Sequence, residues 1–456
     1  MLGGSVAGLS TALALARVGH RVTVVERDDL RVGDVGSMFS LPRKGVPHFL
    51  LPHMFIPRGR KELRTHFPDV YASLLDAGAV DVDVGRKVPG DALPADDDLC
   101  YTAARRPLIE WALRRAVLAE PGIDVRGGVH VRGVRVTDGR ITAVEVDGGS
   151  VDVELVVDAM GRRSPMRDWL IAAGRTPNAV AGSDCGVVYY SRYYRLRPDF
   201  ELPPGPWLLS PRGDCGYLGF ATFPGDDRTF GTVLAVPSGV AEWRALKDAP
   251  TFEAATAQIP MLRLWVDPDG VRPITDVLPM AGLRNSFADY DPSSAVGVVP
   301  VGDAYCHTDP VLAHGLAFGL VHAVALAKVL DLHADAVDAF RAYAEEVAPA
   351  LRERYALATA LDEQRRRMWL GEPVDFSRRD GDYALFSMTA AAAAATVDPE
   401  VFRVFVRRLG LLDSTAVLDD DRPLQTRIEQ IFDELRSVPR PPLGPSREEM
   451  LAAMGQ

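Results

Sequence analysis

Glycine, serine and glycine stand at positions 3, 5 and 8 of "MLGGSVAGLSTALALARVGHRVTVVERDDL". They fill the three slots of G-x-G-x-x-G, with serine in the second. That spacing suits a pyrophosphate. Gly3 permits a tight turn, Gly4 and Ser5 let the backbone approach the phosphates, and Gly8 lets the next helix pack closely. Ala7 to Arg17 reads as that helix, its first N–H groups aimed at the phosphates. Gly19 and His20 then lead into the β-branched run "RVTVVERDD". Glu26 lies 18 positions after Gly8, near the ~20 expected of an acid that holds a ribose hydroxyl. Strand, glycine turn, helix, strand and acid are the parts of a dinucleotide-binding unit. A secretory leader is the competing explanation, but no Lys or Arg precedes the apolar stretch and no small-residue cleavage site follows it. Only Met1 and Leu2 precede the glycines, so a fuller first strand is expected upstream.

A second constellation, "VVPVGDAYCHTDPVLAHGLAFGLVHA", begins as an apolar strand that ends on Gly302-Asp303. It crosses a loop containing Pro310 and enters a helix near Leu316. An acid at a strand end accepts a hydrogen bond from a ribityl hydroxyl. N–H groups at a helix start hold an electron-rich ring oxygen and stabilise negative charge on a reduced ring.

The opening "GGSVAG", the middle "VVDAMGRRS" and the later "GDAYCHTDPVLAHG" together resemble the FAD-dependent monooxygenases of the p-hydroxybenzoate hydroxylase type. That clan takes in squalene and styrene epoxidases, tryptophan halogenases and geranylgeranyl reductases. The resemblance implies an α/β fold: a glutathione-reductase-like FAD-binding Rossmann domain, an inserted antiparallel-sheet substrate domain and a C-terminal helical region. It implies that Gly3, Ser5, Ala7 and Gly8 line the pyrophosphate, that Glu26 binds the adenosine ribose, and that Arg27 reaches toward the adenine. Arg106 in "RRPLIEWAL" matches an arginine that contacts FAD, and Val131 a position that touches adenine. Asp303 would hold the ribityl chain, with Pro310, Gly315, Leu316 and Ala317 beneath the isoalloxazine ring. His53, His307 and His314 are the catalytic candidates beside these motifs.

The implied reaction is insertion of one oxygen atom from O2 into a small hydrophobic or aromatic substrate, as hydroxylase or epoxidase, through a flavin C4a-hydroperoxide. A reductase of the geranylgeranyl-reductase type, a flavin-dependent halogenase and a non-catalytic nucleotide-binding protein are the alternatives. The W-x-W-x-I-P pattern of tryptophan halogenases is absent, as is a second G-x-G-x-x-G. Two motifs depart from the pattern. Ala313, His314 and Ala317 stand where the family often has glycine, glutamine and asparagine. Asp158-Ala159-Met160-Gly161 replaces the Asp-Gly pair associated with NADPH. NADH or NADPH is therefore expected as a direct or an indirect electron donor, in the second case through a partner flavin reductase.

Composition bounds the rest. The formal net charge of −11 argues against general nucleic-acid binding. No run of ~18 consecutive apolar residues is present, so no membrane span is expected. Cys100, Cys185, Cys215 and Cys306 are scattered without metal spacing; no metal and a reducing, cytoplasmic setting are expected. Helices are expected from about Arg58 and over "RRPLIEWALRRAVLAE", whose Leu108, Trp111, Ala112 and Ala116 form the apolar face. A β-meander finishing in "ELVVDA" should follow. The aromatic strands "VVYYSRYYRL" and "CGYLGFATFP" read as a substrate-facing sheet, and the repeated Asp-Cys-Gly (184–186, 214–216) as two similar strand starts. The expected organisation is residues 1–182 and 277–345 for the FAD-binding domain, 183–276 for the substrate sheet and 346–456 for the helical region. Within the last, "PRPPLGP" reads as an exposed end.

Overall fold

The computed structural model describes residues 1–456 except 42, 203, 204, 206, 207 and 440. Its centre is a parallel sheet. Val22–Glu26 pairs with Ile123–Gly127, and Val156–Asp158 pairs with Val298–Pro300. Leu2 stands between the two pairs, bridging Val25 on one side and Asp158 on the other. Four ladder bonds of 2.9 Å hold it there: Leu2 N to Val157 O, Ala159 N to Leu2 O, Gly3 N to Val25 O and Val25 N to Met1 O. Val24, Val25, Val156, Val157 and Val299 are all buried, as strands covered on both faces require.

The helix Val6–Arg17 follows the glycine turn and packs against the long apolar helix Gly315–Leu332. Glycines set their distance. A Cβ on Gly319 would lie 3.2 Å from the Ala7 Cβ, and one on Gly302 2.8 Å from it. Gly315–Leu332 has the length and hydropathy to cross a membrane, but 61% of it is buried inside the protein, as a core helix is.

The helix Arg106–Ala119 departs from its simple amphipathic reading. Leu108, Trp111 and Ala112 are buried as expected, but so are Arg106, Glu110 and Arg114, one helical turn apart on another face. Of the expected meander, Val131–Thr137, Arg140–Val146 and Gly149–Asp152 form a separate antiparallel sheet. Ile123–Gly127 and Val156–Asp158 instead join the parallel sheet: Val156 and Val157 continue its buried layer, and Ile123 and Val125, half-buried, pack against its core at the edge.

The second large sheet has the order Arg212–Asp214, Gly219–Pro224, Thr229–Pro237, Val187–Leu196 and Val271–Pro273, all antiparallel, with Leu278–Met280 also paired to Val187–Leu196. Its aromatics divide by alternation. Tyr190 and Tyr194 point away from the parallel-sheet domain, into a core with Trp243, Phe252 and Leu262. Tyr189 and Tyr193 point toward it. With Tyr217, three of the five tyrosines expected to face substrate are thus residues of that core.

Other expectations are corrected at the level of turns and ends. In both Asp-Cys-Gly segments the aspartate ends a strand and accepts the glycine N–H at 2.7 Å, so these are Asx turns rather than strand starts. The long helix Ala336–Trp369 crosses the expected boundary at 345, and Val180–Asp184 crosses that at 182. Arg440 of "PRPPLGP" lies outside the described residues. That segment is no end: Arg447–Ala453 follows it and buries Met450 in the core of the second sheet.

Candidate functional site

Two helices begin side by side without side-chain caps. Ser5 precedes Val6–Arg17 and His314 precedes Gly315–Leu332; neither side chain accepts from its helix. Their first N–H groups are left for an outside acceptor. Elsewhere Asp248, Asp335, Asp398, Asp421 and Ser446 cap their helices, while Pro57–His66, Pro68–Asp76, Arg106–Ala119 and Met166–Ala172 also begin without a side-chain cap.

The glycine turn is fixed by sterics. Gly3 has φ +106°, and a Cβ there would stand 2.4 Å from Ala159 O; one on Gly8 would stand 1.9 Å from Gly3 O. Glu26 closes the turn from below. Its Oε2 accepts from Gly4 N at 2.6 Å and its Oε1 from Asp28 N at 2.9 Å. Arg27 points outward, its Nη2 donating to Lys44 O at 3.3 Å. Val131 is half-buried at the start of the small antiparallel sheet, whereas Val129 is the residue whose N–H bonds Glu26 O, at 3.0 Å.

Beside the turn lies a buried ion cluster of which the sequence reading found one member. Glu110 is fully buried. Ser5 Oγ donates to its Oε1 at 2.7 Å and Arg106 Nε at 3.2 Å; Arg114 Nη2 donates to its Oε2 at 3.0 Å, and Arg43 Nε lies 3.2 Å away. Burial by itself raises the Glu110 pKa, but Arg43, Arg106 and Arg114 outweigh it and hold the carboxyl below its ordinary value. Arg43 also pairs with Asp28 at 3.1 Å and donates to Gly4 O at 3.2 Å, which brings the loop after residue 40 onto the glycine turn. Glu110 and Arg114 had a signal, the i, i+4, i+8 spacing from Arg106; Arg43 had none.

The candidate histidines separate. His53 Nδ1 donates to Leu51 O at 2.8 Å, which leaves Nε2 to accept from Arg106 Nη1 at 3.1 Å. Burial and the Arg106 charge pull its pKa down to about 3, so it is a neutral acceptor that orients Arg106. His314 is 2% exposed, and its Nε2 donates to Leu409 O at 3.2 Å. Burial pulls its pKa to about 3 as well. It ties the loop to the C-terminal helices, which replaces the catalytic role expected of it. His307 sits in a short strand, donating from Nδ1 to Arg284 O at 2.8 Å, with Nε2 3.9 Å from Asp303. His48 was not anticipated; its ring lies 5.5 Å from that of His53, in the same cleft.

Asp303 and the return helix meet as the motif requires. A Cβ on Gly315 would lie 3.7 Å from Asp303 Oδ1, and Gly315 is exposed while Leu316 and Ala317 are buried behind it. Pro310 begins a short 3-10 turn, Pro310–Leu312. Ala313 then takes φ +56°, the left-handed conformation for which the family uses glycine.

The turn is held by a second buried network, absent from the sequence reading. Asp309 Oδ1 accepts from Val311 N at 3.1 Å and from Tyr189 Oη, on the second sheet, at 2.5 Å. Arg365 of the long helix donates to Asp309 Oδ2 and to Asp362 Oδ1, both at 2.7 Å. Asn285 accepts from Asp309 N and donates to Asp362 Oδ2. Cys185 Sγ and the two carboxylates converge within 4.8 Å, a metal-like grouping, but the Arg365 guanidinium is the cation that answers them. Burial and the neighbouring Asp309 push the Asp362 pKa up to about 8, so it carries a proton at neutral pH.

A scan against protein-family models gives no match. The chain is 27% identical to Protein Rv3254 of Mycobacterium tuberculosis over 461 residues, 91% of this chain and 89% of that protein. Protein FixC of Salmonella typhi is 26% identical over 178 residues, 38% of this chain and 39% of FixC. Among solved structures, PqsL, a "probable FAD-dependent monooxygenase from Pseudomonas aeruginosa", has a TM-score of 0.59 at 18% identity, covering 81% of this chain and 97% of PqsL. For the flavin-dependent brominase Bmp2 the TM-score is 0.62 at 15% identity, covering 96% and 97%. The chain has the fold of FAD-dependent monooxygenases. Within that fold the uncapped helix starts, the glycine turn and Asp303 lie on one cleft. Bmp2 superposes on nearly the whole chain, C-terminal helical region included.

Proposed function

We propose that this chain is an FAD-dependent monooxygenase whose FAD-binding domain has the glutathione-reductase-like arrangement, with the second sheet as the substrate domain. The observation that carries the reading is the pair of uncapped helix starts meeting at the glycine turn. The first fits a pyrophosphate and the second the electron-rich edge of a flavin ring. The residues present fit the group. Arg114 Nε and Nη1 are buried beside the turn without hydrogen bonds. Arg43, Arg106 and Arg114 are matched by Glu26, Asp28 and Glu110, so the fit to a dianionic bridge comes from the open helix N–H groups. When bound, FAD supplies activation of O2 and delivery of one oxygen atom.

The chain's own part is positioning. Ser5 and Arg106 face the pyrophosphate end, Glu26 the adenosine ribose, and Asp303 the ribityl chain. The N–H groups of Gly315 and Leu316 stabilise negative charge on the reduced ring. Leu312 and Ala317, with Met54, Ile56 and Tyr101, form an apolar wall that excludes water from the reacting centre. A small hydrophobic or aromatic substrate, hydroxylated or epoxidised, is the class this wall supports.

Electrons reach the flavin from NADH or NADPH through a separate flavin reductase. Supporting this, Asp158-Ala159 stands where the NADPH-associated Asp-Gly pair would be, with the Asp158 carboxylate accepting from Met160 N at 3.0 Å and Ser164 Oγ at 2.5 Å. A halogenase is the second reading, favoured by the near-complete overlap with the brominase. A cytoplasmic location accords with four free thiols. The test is direct. Protein purified with its chromophore should release FAD on heating. With an added flavin reductase and NADH it should consume O2 and oxygenate an aromatic panel, with bromide present and absent. Failure to bind FAD on reconstitution overturns the reading, and brominated products select the halogenase.

A further inference from the structure

The turn that sets the second helix start is held from behind, and every bond that fixes it passes through Asp309. Pro310–Leu312 leads into left-handed Ala313, and Gly315 then opens the helix. Asp309 Oδ1 caps the turn at Val311 N and accepts from Tyr189 Oη of the second sheet. Asp309 N donates to Asn285 Oδ1 at 2.8 Å, and Asn285 Nδ2 donates to Asp362 Oδ2 at 2.7 Å. One nitrogen, Arg365 Nη2, lies 2.7 Å from Asp309 Oδ2 and 2.7 Å from Asp362 Oδ1, so it bridges the two acids.

Charge decides what this cluster must hold. Asp309 is 1% and Asp362 4% exposed, and the two carboxyls are within hydrogen-bond reach of one another. Two carboxylates facing one guanidinium leave a negative charge over, with no water to solvate it. Like charges so placed do not both ionise. The other groups facing the pair do not supply the missing positive charge. Asn285 is neutral. Burial and the two acids push the Tyr189 phenol and the Cys185 thiol upward, so both keep their protons. Asp214 feels Arg365 from the second sheet, but it is an acid already bonded by Trp369 Nε1. One proton therefore completes the cluster. Arg365, Tyr189 and Val311 N all donate to Asp309, which keeps the ionised share, and the proton resides on Asp362.

Three elements meet at that proton: the turn before Gly315, the second sheet through Tyr189, and the helix Ala336–Trp369 through Asp362 and Arg365. We propose that Asp309 and Asp362 share a single proton that locks this turn in the conformation presenting the Gly315 N–H to the flavin, and that its loss in alkali loosens flavin binding. Asp362 touches no reacting group; it is a positioning residue that acts through Asp309. The consequence for flavin rests on the monooxygenase reading, whereas the shared proton does not.

The proton and the lock are measured separately. The carbonyl stretch of a buried carboxylic acid, followed by infrared spectroscopy from about pH 6 to about pH 10, reports the proton with or without FAD. Wild type should show the band at neutral pH and lose it in alkali, and both Asp362→Asn and Asp362→Leu should lack it. FAD affinity, read from quenching of flavin fluorescence on binding, reports the lock. It should fall roughly tenfold in wild type over that range, within the ~5–150-fold span of coupled sites, and stay level in both variants. Hydrogen exchange over residues 309–315, corrected for the intrinsic base-catalysed rate, should quicken with pH in wild type only. No band in wild type at neutral pH, or a band that survives in both variants, overturns the shared proton. The same pH slope of FAD affinity and of exchange in wild type and both variants overturns the lock. Should the protein hold no FAD at any pH, the monooxygenase reading fails, and exchange over 309–315 still decides the lock.

Discussion

Glu110 is where a single substitution is expected to cost most. Its carboxylate is, among the described residues, the one hydrogen-bond partner of Arg114, which is 1% exposed and has two further nitrogens already without bonds. Glu110→Ala therefore strands one buried guanidinium and takes a partner from Arg43 and Arg106. Removing one side of a buried pair costs ~3–5 kcal/mol. The lost hydrogen bond from Ser5 adds ~1 kcal/mol. A destabilisation of about 5 kcal/mol is thus expected for the parallel-sheet domain, with loss of FAD retention because Ser5 and Arg106 lose their anchor. Glu110→Gln keeps the shape and one acceptor, and is expected to cost about half as much. Urea unfolding followed by tryptophan fluorescence, with flavin release measured in parallel, reads both. The pH dependence has a definite sign. The folded-state pKa of Glu110 is depressed, so its contribution is present above the unfolded value of ~4.3 and disappears as pH falls through the folded value. The difference between wild type and Glu110→Ala should therefore narrow below about pH 4. A Glu110→Ala protein within ~1 kcal/mol of wild type at neutral pH, with FAD retained, would refute the account.

Asp362→Asn mimics the protonated acid. Because burial and Asp309 raise the folded pKa, wild-type stability falls as pH rises from the unfolded value of ~3.9 toward the folded one, so the variant's advantage should grow over that window; thermal melts across the range check this. Ala313→Gly relieves a left-handed alanine and should gain up to about 1 kcal/mol, where the same change in a helix interior loses about as much. Gly8→Ala forces a Cβ to within 1.9 Å of Gly3 O and should abolish flavin binding, read as colourless purified protein. His53→Gln keeps an acceptor for Arg106; FAD affinity and the pH profile of oxygenation between pH 6 and 9 should both stay close to wild type, and a lost inflection would restore His53 as an acid–base group.

Local rules made part of this protein legible. The glycine turn, the helix after it, Glu26 at its strand end and the Asp303–Gly315 segment all rest on steric and hydrogen-bond demands that act within about thirty residues, and such demands leave spacing in the sequence. Antiparallel strands after residue 183 were legible from β-branched and aromatic runs. Which side of each strand met the cleft was not, because a shift of one residue reverses every side chain, and register is fixed by distant partners. The buried charges were hidden for the same reason. Arg43, Glu110 and Arg114 come from two separated segments, and Asp309, Asn285, Asp362 and Arg365 from three. Each reads alone as a solvated polar residue, since nothing nearby in sequence says that it will lose its water. Only packing removes the solvent, and once it is gone an ion must find its counter-charge across the fold.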